Sequence, residues 1–539
     1  MSATVAPTQA PKDSHAKSVA RFAGIMSICL ALSRILGMLR DSVMVSRFGA
    51  ALDADTYRIA IQVPDMIFML VAGGGLSSAF IPVFSDLIHK DKEKEAWKTF
   101  SVVVTVCSIV AVGLIGIAWL LTPAIVHYFS EGKDPAVIMP AIGMSRVMLP
   151  AQFAFLIGSV MLATLYSRKH FLAPGLAPNV YNLGIILGAL ILPIVMPRLG
   201  IASMAWGALI GAFIGNIFLP ALTMATVGSH FKPSLDLSTP GVRTFFRLLL
   251  PVILGFSLPS MVNLITQKFA STYGSAGINN DLAMANNLMQ APLGIFGQGL
   301  ALGVFPVLAE FVAIGRMDLY RQQVSKTLRT VLYLGIPSGA LMLALAPLIV
   351  HVLYGYGRAA HDQENLNRIA DSLRLYALGV FAWCMQPVLM RGFFSLHKTL
   401  KPVVIGTGMT VLFIALCAVS GQFSRNFLLI PIATDVAALL LAISLYFALQ
   451  KDVGRLDSGG IVATILTCTV ASAVGGGAAW GIMSLCGSTG KLAEILILAF
   501  AGVIGSWIYY FATKLMKVPE TEYVSKSMGR LRHRFGMRS

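Results

Sequence analysis

The chain has 539 residues, 56% of them hydrophobic and only 12% charged, and 41 Lys and Arg against 24 Asp and Glu give it a net charge of +17. A water-soluble chain would carry about a quarter charged residues, so a soluble globular protein is excluded and a polytopic helical membrane protein is expected. The basic excess would suggest nucleic acid in a soluble domain. Here Lys and Arg concentrate in short segments between apolar runs, as the positive-inside rule places them, and nucleic acid is not expected as a partner.

In chain order, residues 1–20 are polar and lack the apolar core and small-residue cleavage site of a signal peptide. Fourteen spans are predicted: 21–46, 55–88, 97–128, 137–166, 173–196, 201–226, 244–272, 281–313, 326–355, 370–396, 402–420, 426–449, 459–485 and 491–514. The first reads FAGIMSICLALSRILGMLRDSVMV over Phe22–Val45 and holds Arg34, Arg40 and Asp41. A charge near the bilayer centre costs roughly 2.5–3.5 kcal/mol on insertion scales, so such residues face a cavity or a partner. Arg34 and Asp41 are seven apart and share one helical stripe. The stripe predicts a polar face that prefers anions. For Arg40, nearer the helix end, snorkelling to the interface is the plain alternative.

The connecting segments alternate in charge. One set holds the Lys and Arg clusters, from Lys12–Arg21 through Lys90–Lys98 and Arg316–Arg329 to the tail Lys514–Arg538. The other holds Asp53, Asp55, Glu131, Asp134, Asp281, Asp362 and Glu364. Both termini are therefore expected on the cytoplasmic side, with the basic tail against anionic headgroups. The six cysteines lie mostly in apolar stretches without metal-like spacing, and they read as small packing residues.

The chain matches itself at an offset of 228 residues. Gln62-x-Pro64-x-x-Ile67-Phe68 recurs as Gln290-x-Pro292-x-x-Ile295-Phe296, Arg146 maps to Arg374, Ser167 to Ser395, and Arg40 to Lys268. A unit of six spans is an even number, so both copies share one orientation, as in transporters that rock two lobes around a central site. The expected division is a tail (1–20), a first lobe (21–228), a second lobe (243–450), an appended pair of spans (456–515) and a basic tail (516–539). Pro64 and Pro292 each remove a helical hydrogen bond at matched positions, and Gly74 sits in the Gly73–Gly75 cluster. These three are the hinge candidates, with plain helix packing as the alternative.

The intramembrane polar set comprises Arg34, Arg40, Asp41, Lys268, Asn182 and Asn287, with Asn179, Asn263 and Asn286 nearby. If the two lobes face one another, Arg40 and Lys268 flank one cavity, and guanidinium pairs with phosphate through forked hydrogen bonds. Asp41 is placed to neutralise Arg40, which would leave Arg34 and Lys268 as the cavity's cations. For the asparagines, interhelical hydrogen bonding is the simpler role. No Walker loop, HExxH or partnered GxSxG appears. A transporter rather than an enzyme is expected, without a cofactor, driven by the membrane potential or a monovalent ion.

Several segments resemble the MurJ (MviN) family of lipid II flippases, of the multidrug/oligosaccharidyl-lipid/polysaccharide exporter superfamily. They are Ser33–Asp41, Phe48-Gly49-Ala50 with Asp55, Gly73–Val83, Phe171-x-x-Pro174-x-x-Ala177-Pro178-x-x-x-Asn182, and Gly392–Ser395. The resemblance implies two six-helix lobes forming a V and two final helices that extend a groove for a polyprenyl tail. It also implies a central cationic cavity for the lipid-linked disaccharide-pentapeptide pyrophosphate. On it, Arg34 and Arg40 hold the pyrophosphate, and Asp41 and Asp55 orient arginines or couple to ions. The setting implied is the inner membrane of a bacterium, with lipid II as substrate, membrane lipids around it, and the cell-wall synthesis machinery nearby.

The chain departs from the pattern at two places. Many members carry an arginine where this chain has Phe68, and Asp-Arg where it has Asn286-Asn287. Lys268 and Arg146 are then the expected compensating cations. The departures keep two alternatives open: a flippase for another polyprenyl-pyrophosphate oligosaccharide of the O-antigen or capsule type, and a non-transporting cell-wall scaffold.

Overall fold

The computed structural model describes residues 12–69, 75–130, 133–168, 170–249, 262–273, 277–423, 426–486 and 490–522. Among them there is no strand. The helices are α1 (Lys12–Phe48), α2 (Leu52–Ile67), α3 (Gly75–His89), α4 (Glu93–Phe129), α5 (Pro135–Met148), α6 (Ala151–Ser167), α7 (Leu172–Val195), α8 (Ala202–Phe213) and α9 (Leu219–Thr226). After α10 (240–249) come α11 (Val262–Ser271), α12 (Ile278–Pro292), α13 (Gly299–Ala313), α14 (Met317–Tyr354), α15 (Gln363–Ser395), α16 (Leu400–Phe423), α17 (Leu429–Val453), α18 (Ser458–Leu485) and α19 (Lys491–Leu515). Eleven described segments are long and apolar enough to cross a membrane. The hinge candidate Gly74 and residues 523–539 of the basic tail lie outside the described residues.

The differences from the expected spans have local causes. The fourth span is two helices, α5 and α6, parted by a turn at Leu149-Pro150, because proline cannot donate into the continuing helix. The eighth is one continuous helical run, since a π-helical stretch over Leu293–Gln298 joins α12 to α13. A π turn also follows α2 at residues 68–69. Both stretches follow the repeat-matched prolines Pro64 and Pro292 and widen the helix where a hydrogen bond is missing. The 37 residues of α4 span about 55 Å at 1.5 Å each, well beyond a hydrocarbon core of about 30 Å.

Helix starts follow capping chemistry. Asp134 accepts from the Ala136 amide at 2.8 Å with Pro135 at the first helical position, and Asp457 accepts from Gly460 at 2.9 Å. Within the first half, α1 packs on α7, α7 on α8, α2 on α5 and α3 on α6. The α7–α8 crossing is backbone on backbone: a Cβ added at Gly207 would lie 2.5 Å from the Gly184 carbonyl oxygen. Within the second half, α15 packs on α12, α14 and α17.

The final pair, α18 and α19, packs on α14 and on each other. It is tied along that whole helix. Arg329 of α14 reaches Asp457 at 2.8 Å and Glu520 at 3.0 Å, the Tyr509 hydroxyl donates to the Tyr333 carbonyl at 2.7 Å, and His351 meets Glu494 at 2.9 Å.

Candidate functional site: a guanidinium cluster on the seam between the halves

The first half meets the second where α1 packs on the 357–361 turn and on α14, and where α1 and α2 face α12. A cavity of about 460 Å³ opens on this seam. Arg40 of α1 and Arg58 and Asp65 of α2 form its charged wall. The opposite wall is neutral and polar, with Asn279, Asn286, Asn287 and Gln290 of α12 and Gln386 of α15.

Asp41 organises the charged wall. It is 1% exposed, and its Oδ1 accepts from Arg40 Nε at 3.1 Å and Nη2 at 2.9 Å. The same oxygen lies 3.0 Å from Arg58 Nη2. Its Oδ2 accepts from Asn287 Nδ2 at 2.6 Å. One carboxylate thus holds two guanidinium groups and one amide from three helices. Arg40 Nη1 also donates to Asn182 Oδ1 at 3.2 Å, and Asn182 in turn donates to the Pro178 carbonyl at 3.1 Å. Asn182 is therefore a support for Arg40 rather than a cavity wall. Arg58 Nε donates to Asn280 Oδ1 at 3.2 Å. Held this way, Arg40 and Arg58 have little rotamer freedom left to lose when a ligand arrives.

Arg34 lies lower on the same helix and is exposed. It crosses the seam and donates to Gln290 Oε1 at 3.2 Å, with its Nε beside Gly294. It faces the opposite half rather than the surrounding lipid.

Two sequence expectations are corrected. Lys268 is not a cavity cation: its ammonium donates to the Tyr128 carbonyl and lies 4.1 Å over the Tyr128 ring. The long lysine stem reaches α4, where an aromatic face and a carbonyl give it better company than the open cavity. Arg146 does not compensate either, because its guanidinium stacks 4.1 Å over Trp119. Asp55 also stands apart from the Asp41 cluster. It is fully buried, 2.9 Å from Lys133 Nζ, and its Oδ1 accepts the Asn280 amide at 3.1 Å. Asn280 Nδ2 donates to the Ala50 carbonyl at 3.1 Å, and nearby Arg368 Nε meets Asp281 at 2.8 Å. Asp55, Asp281 and Glu364, acids that the sequence placed in outer loops, pair here with Lys133 and Arg368 and close the seam at the end where α1 finishes.

Phe68 is partly exposed and packs edge-on against Phe155 at 5.6 Å, and Asn287 binds Asp41. Neither supplies a cation. Arg58, which the sequence reading passed over, brings the second guanidinium instead. The signal was present, since Arg58 and Asp65 are ionisable residues inside the predicted 55–88 span.

Comparison with known proteins agrees with this architecture. The family profile described as "Lipid II flippase MurJ" matches residues 44–500. A probable lipid II flippase MurJ of Vibrio cholerae is 26% identical over 443 residues, covering 79% of this chain and 82% of that protein. Its counterpart in Thermotoga maritima is 25% identical over 493 residues, covering 91% and 95%. Among solved structures, a lipid II flippase MurJ in an inward closed conformation superposes with a TM-score of 0.73 at 21% identity, covering 90% of this chain and 98% of that one. An inward-facing multidrug resistance MATE family transporter of the MOP superfamily gives 0.65 at 16% identity, covering 80% and 98%.

Proposed function

The chain belongs to the lipid II flippase MurJ family, and from that premise we propose that it carries lipid II from the inner to the outer leaflet of a bacterial plasma membrane by alternating access. The observation that carries the reading is the pair of guanidinium groups, Arg40 and Arg58, fixed by Asp41 in the wall of the seam cavity. A pyrophosphate offers oxygens to both forks, and in the low dielectric of the membrane interior such charge-assisted bonds are strong. Arg34, at the seam below them, meets the anion on its way. Asp41 acts as the orienting residue.

In this reading residues 21–228 and 243–450 are the two lobes, and 456–515 guide the polyprenyl tail. The termini are cytoplasmic, and the Asp55–Lys133–Asn280 cap closes the periplasmic end. Pro64 and Pro292, each followed by a π turn, let α2 and the α12–α13 run bend as the lobes rock. The moving headgroup is anionic, so a potential negative inside drives it outward, by about 2.3 kcal/mol per charge per 100 mV.

A second reading rests on one observation, that Phe68 and Asn287 bring no cations to the seam. It makes the cargo another polyprenyl-pyrophosphate oligosaccharide. Purified protein reconstituted in vesicles and offered lipid II and an O-antigen-type lipid tests both. Translocation of lipid II that is lost in Arg40→Ala supports the first reading, and translocation of the second lipid alone replaces it. Failure with both, while the chain still sustains wall synthesis, leaves the scaffold role.

A further inference from the structure

Asp65 stands out among the residues that line the cavity. It lies one residue after the hinge proline Pro64, half-buried on the cavity wall. Its carboxylate accepts no hydrogen bond and makes no ion pair among the described residues, yet it sits in the electrostatic field of Arg40 and Arg58. Asp41 is the opposite case, since both its oxygens are taken by Arg40, Arg58 and Asn287.

Around Asp65, α1 brings Arg40 and Asp41, and α2 itself brings Arg58 and Tyr57. Tyr181 of α7 also feels the Asp65 charge. The other helices packed on α2 direct their charges elsewhere. Arg146 of α5 stacks on Trp119, Lys268 of α11 is held at Tyr128 of α4, and Asp281 of α12 is paired with Arg368. Neither His127 of α4 nor Tyr166 of α6 is among the residues that line the cavity. The cavity wall therefore sets two guanidinium cations against two carboxylates, and is neutral when both acids are ionised.

A pyrophosphate diester carries two negative charges at any pH near neutrality. Entering this neutral wall, it would bring an excess of two negative charges away from water, and discharging one carboxylate halves that excess. Asp41 cannot serve, because protonating it would release both guanidinium groups that the ligand needs. Asp65 can, because it holds nothing.

We propose that Asp65 is the proton acceptor of the anion site: it is ionised in the empty cavity and takes up one proton when a pyrophosphate-bearing headgroup binds. The inference rests on the reading of the cavity as a polyprenyl-pyrophosphate site. The empty protein keeps its guanidinium groups neutralised by two acids, and the loaded protein gives up one of these charges to offset part of the ligand's two. Linkage fixes the sign. A group that binds its proton more tightly in the complex makes the ligand bind more tightly as pH falls, through the window between its two pKa values.

The probe is a short-chain prenyl-pyrophosphoryl N-acetylglucosamine, a diester that does not itself titrate between about pH 5 and 9. Binding to the purified full chain is measured calorimetrically, in two buffers of different ionisation enthalpy, across that range. The wild type is expected to take up a proton on binding and to gain up to about tenfold in affinity per pH unit lost within the window. Asp65→Asn is expected to bind at about pH 8 as tightly as the wild type does in acid, with no slope and no proton uptake. Binding by the wild type without proton uptake at any pH overturns the inference and leaves the transport reading intact, and so does a slope that survives in Asp65→Asn. Absence of probe binding by both proteins at every pH overturns the polyprenyl-pyrophosphate reading, and the inference with it. The wild-type proton count alone decides the matter if the variant does not fold.

Discussion

Asp41 and Arg58 lie 3.0 Å apart across the turn that joins α1 to α2, both nearly excluded from solvent. The pair makes the first two helices one electrostatic unit, because the same carboxylate oxygen also holds Arg40. Removing the carboxylate leaves two buried guanidinium groups facing each other. Breaking a buried pair by deleting one partner typically destabilises by about 3–5 kcal/mol. Asp41→Asn should therefore lower the thermal unfolding midpoint of the purified protein and abolish headgroup binding. A variant that melts with the wild type would show that the pair does not organise the wall.

Arg58 and Lys268 separate the observed cavity from the one the repeat suggested. Arg58→Met should reduce affinity for a prenyl-pyrophosphoryl sugar by at least about tenfold, the equivalent of 1.4 kcal/mol for one charge-assisted contact. Lys268→Met removes a cation that rests on Tyr128 and should leave that affinity within about twofold. Equal losses in the two titrations would return Lys268 to the cavity.

The buried Lys133–Asp55 pair closes one end of the seam. Asp55→Asn takes a carboxylate away from a buried lysine ammonium and should destabilise by about 3 kcal/mol. Adding Lys133→Met to it should recover most of the loss, since neither charge then remains. Denaturation of the two single variants and the double variant provides the cycle. Additive losses would mean that the two residues do not act as a pair.

Pro292 is followed by the π-helical stretch that joins α12 to α13. Pro292→Ala restores an amide donor and should stiffen the run. The expected outcome is unchanged equilibrium binding with several-fold slower translocation in vesicles. A proportional loss of binding would point to a packing role instead.

At Gly207, a side chain would press into the Gly184 carbonyl of the facing helix. Gly207→Val should separate α7 from α8, which Arg40 feels through Asn182 of α7. Folded yield in membranes should fall sharply, and Gly113→Val, at an open position on α4, serves as the tolerated control.

Much of this was legible beforehand, and what was not has physical causes. Arg34, Arg40 and Asp41 were readable because charges amid apolar residues need a partner, and the structure gives each one. The matched prolines pointed to irregular helix at equivalent places in both halves, and each precedes a π turn, whereas the π stretch over Ile214–Phe218 follows no proline and had no such signal. Arg58 escaped notice because it lies near the start of its span, where an arginine reads as an interface residue. Lys268 was misplaced for a different reason. A repeat fixes the position of a backbone, whereas four methylenes let the ammonium settle on whichever aromatic ring is near. Asp55 and Asp41 look alike in sequence, and only the packing of Lys133 and Asn280 sends them to different tasks.

Because α14 is fastened to the last two helices by Arg329 at one end, His351 at the other and Tyr333 between them, that pair has no independent stroke. If the halves rock as proposed, it travels with the second half as a single lever arm. A long hydrocarbon held along that arm would then be gripped or slackened in step with the chamber around the charged head, so one rigid-body swing would handle both ends of an amphiphile without a separate signal between them.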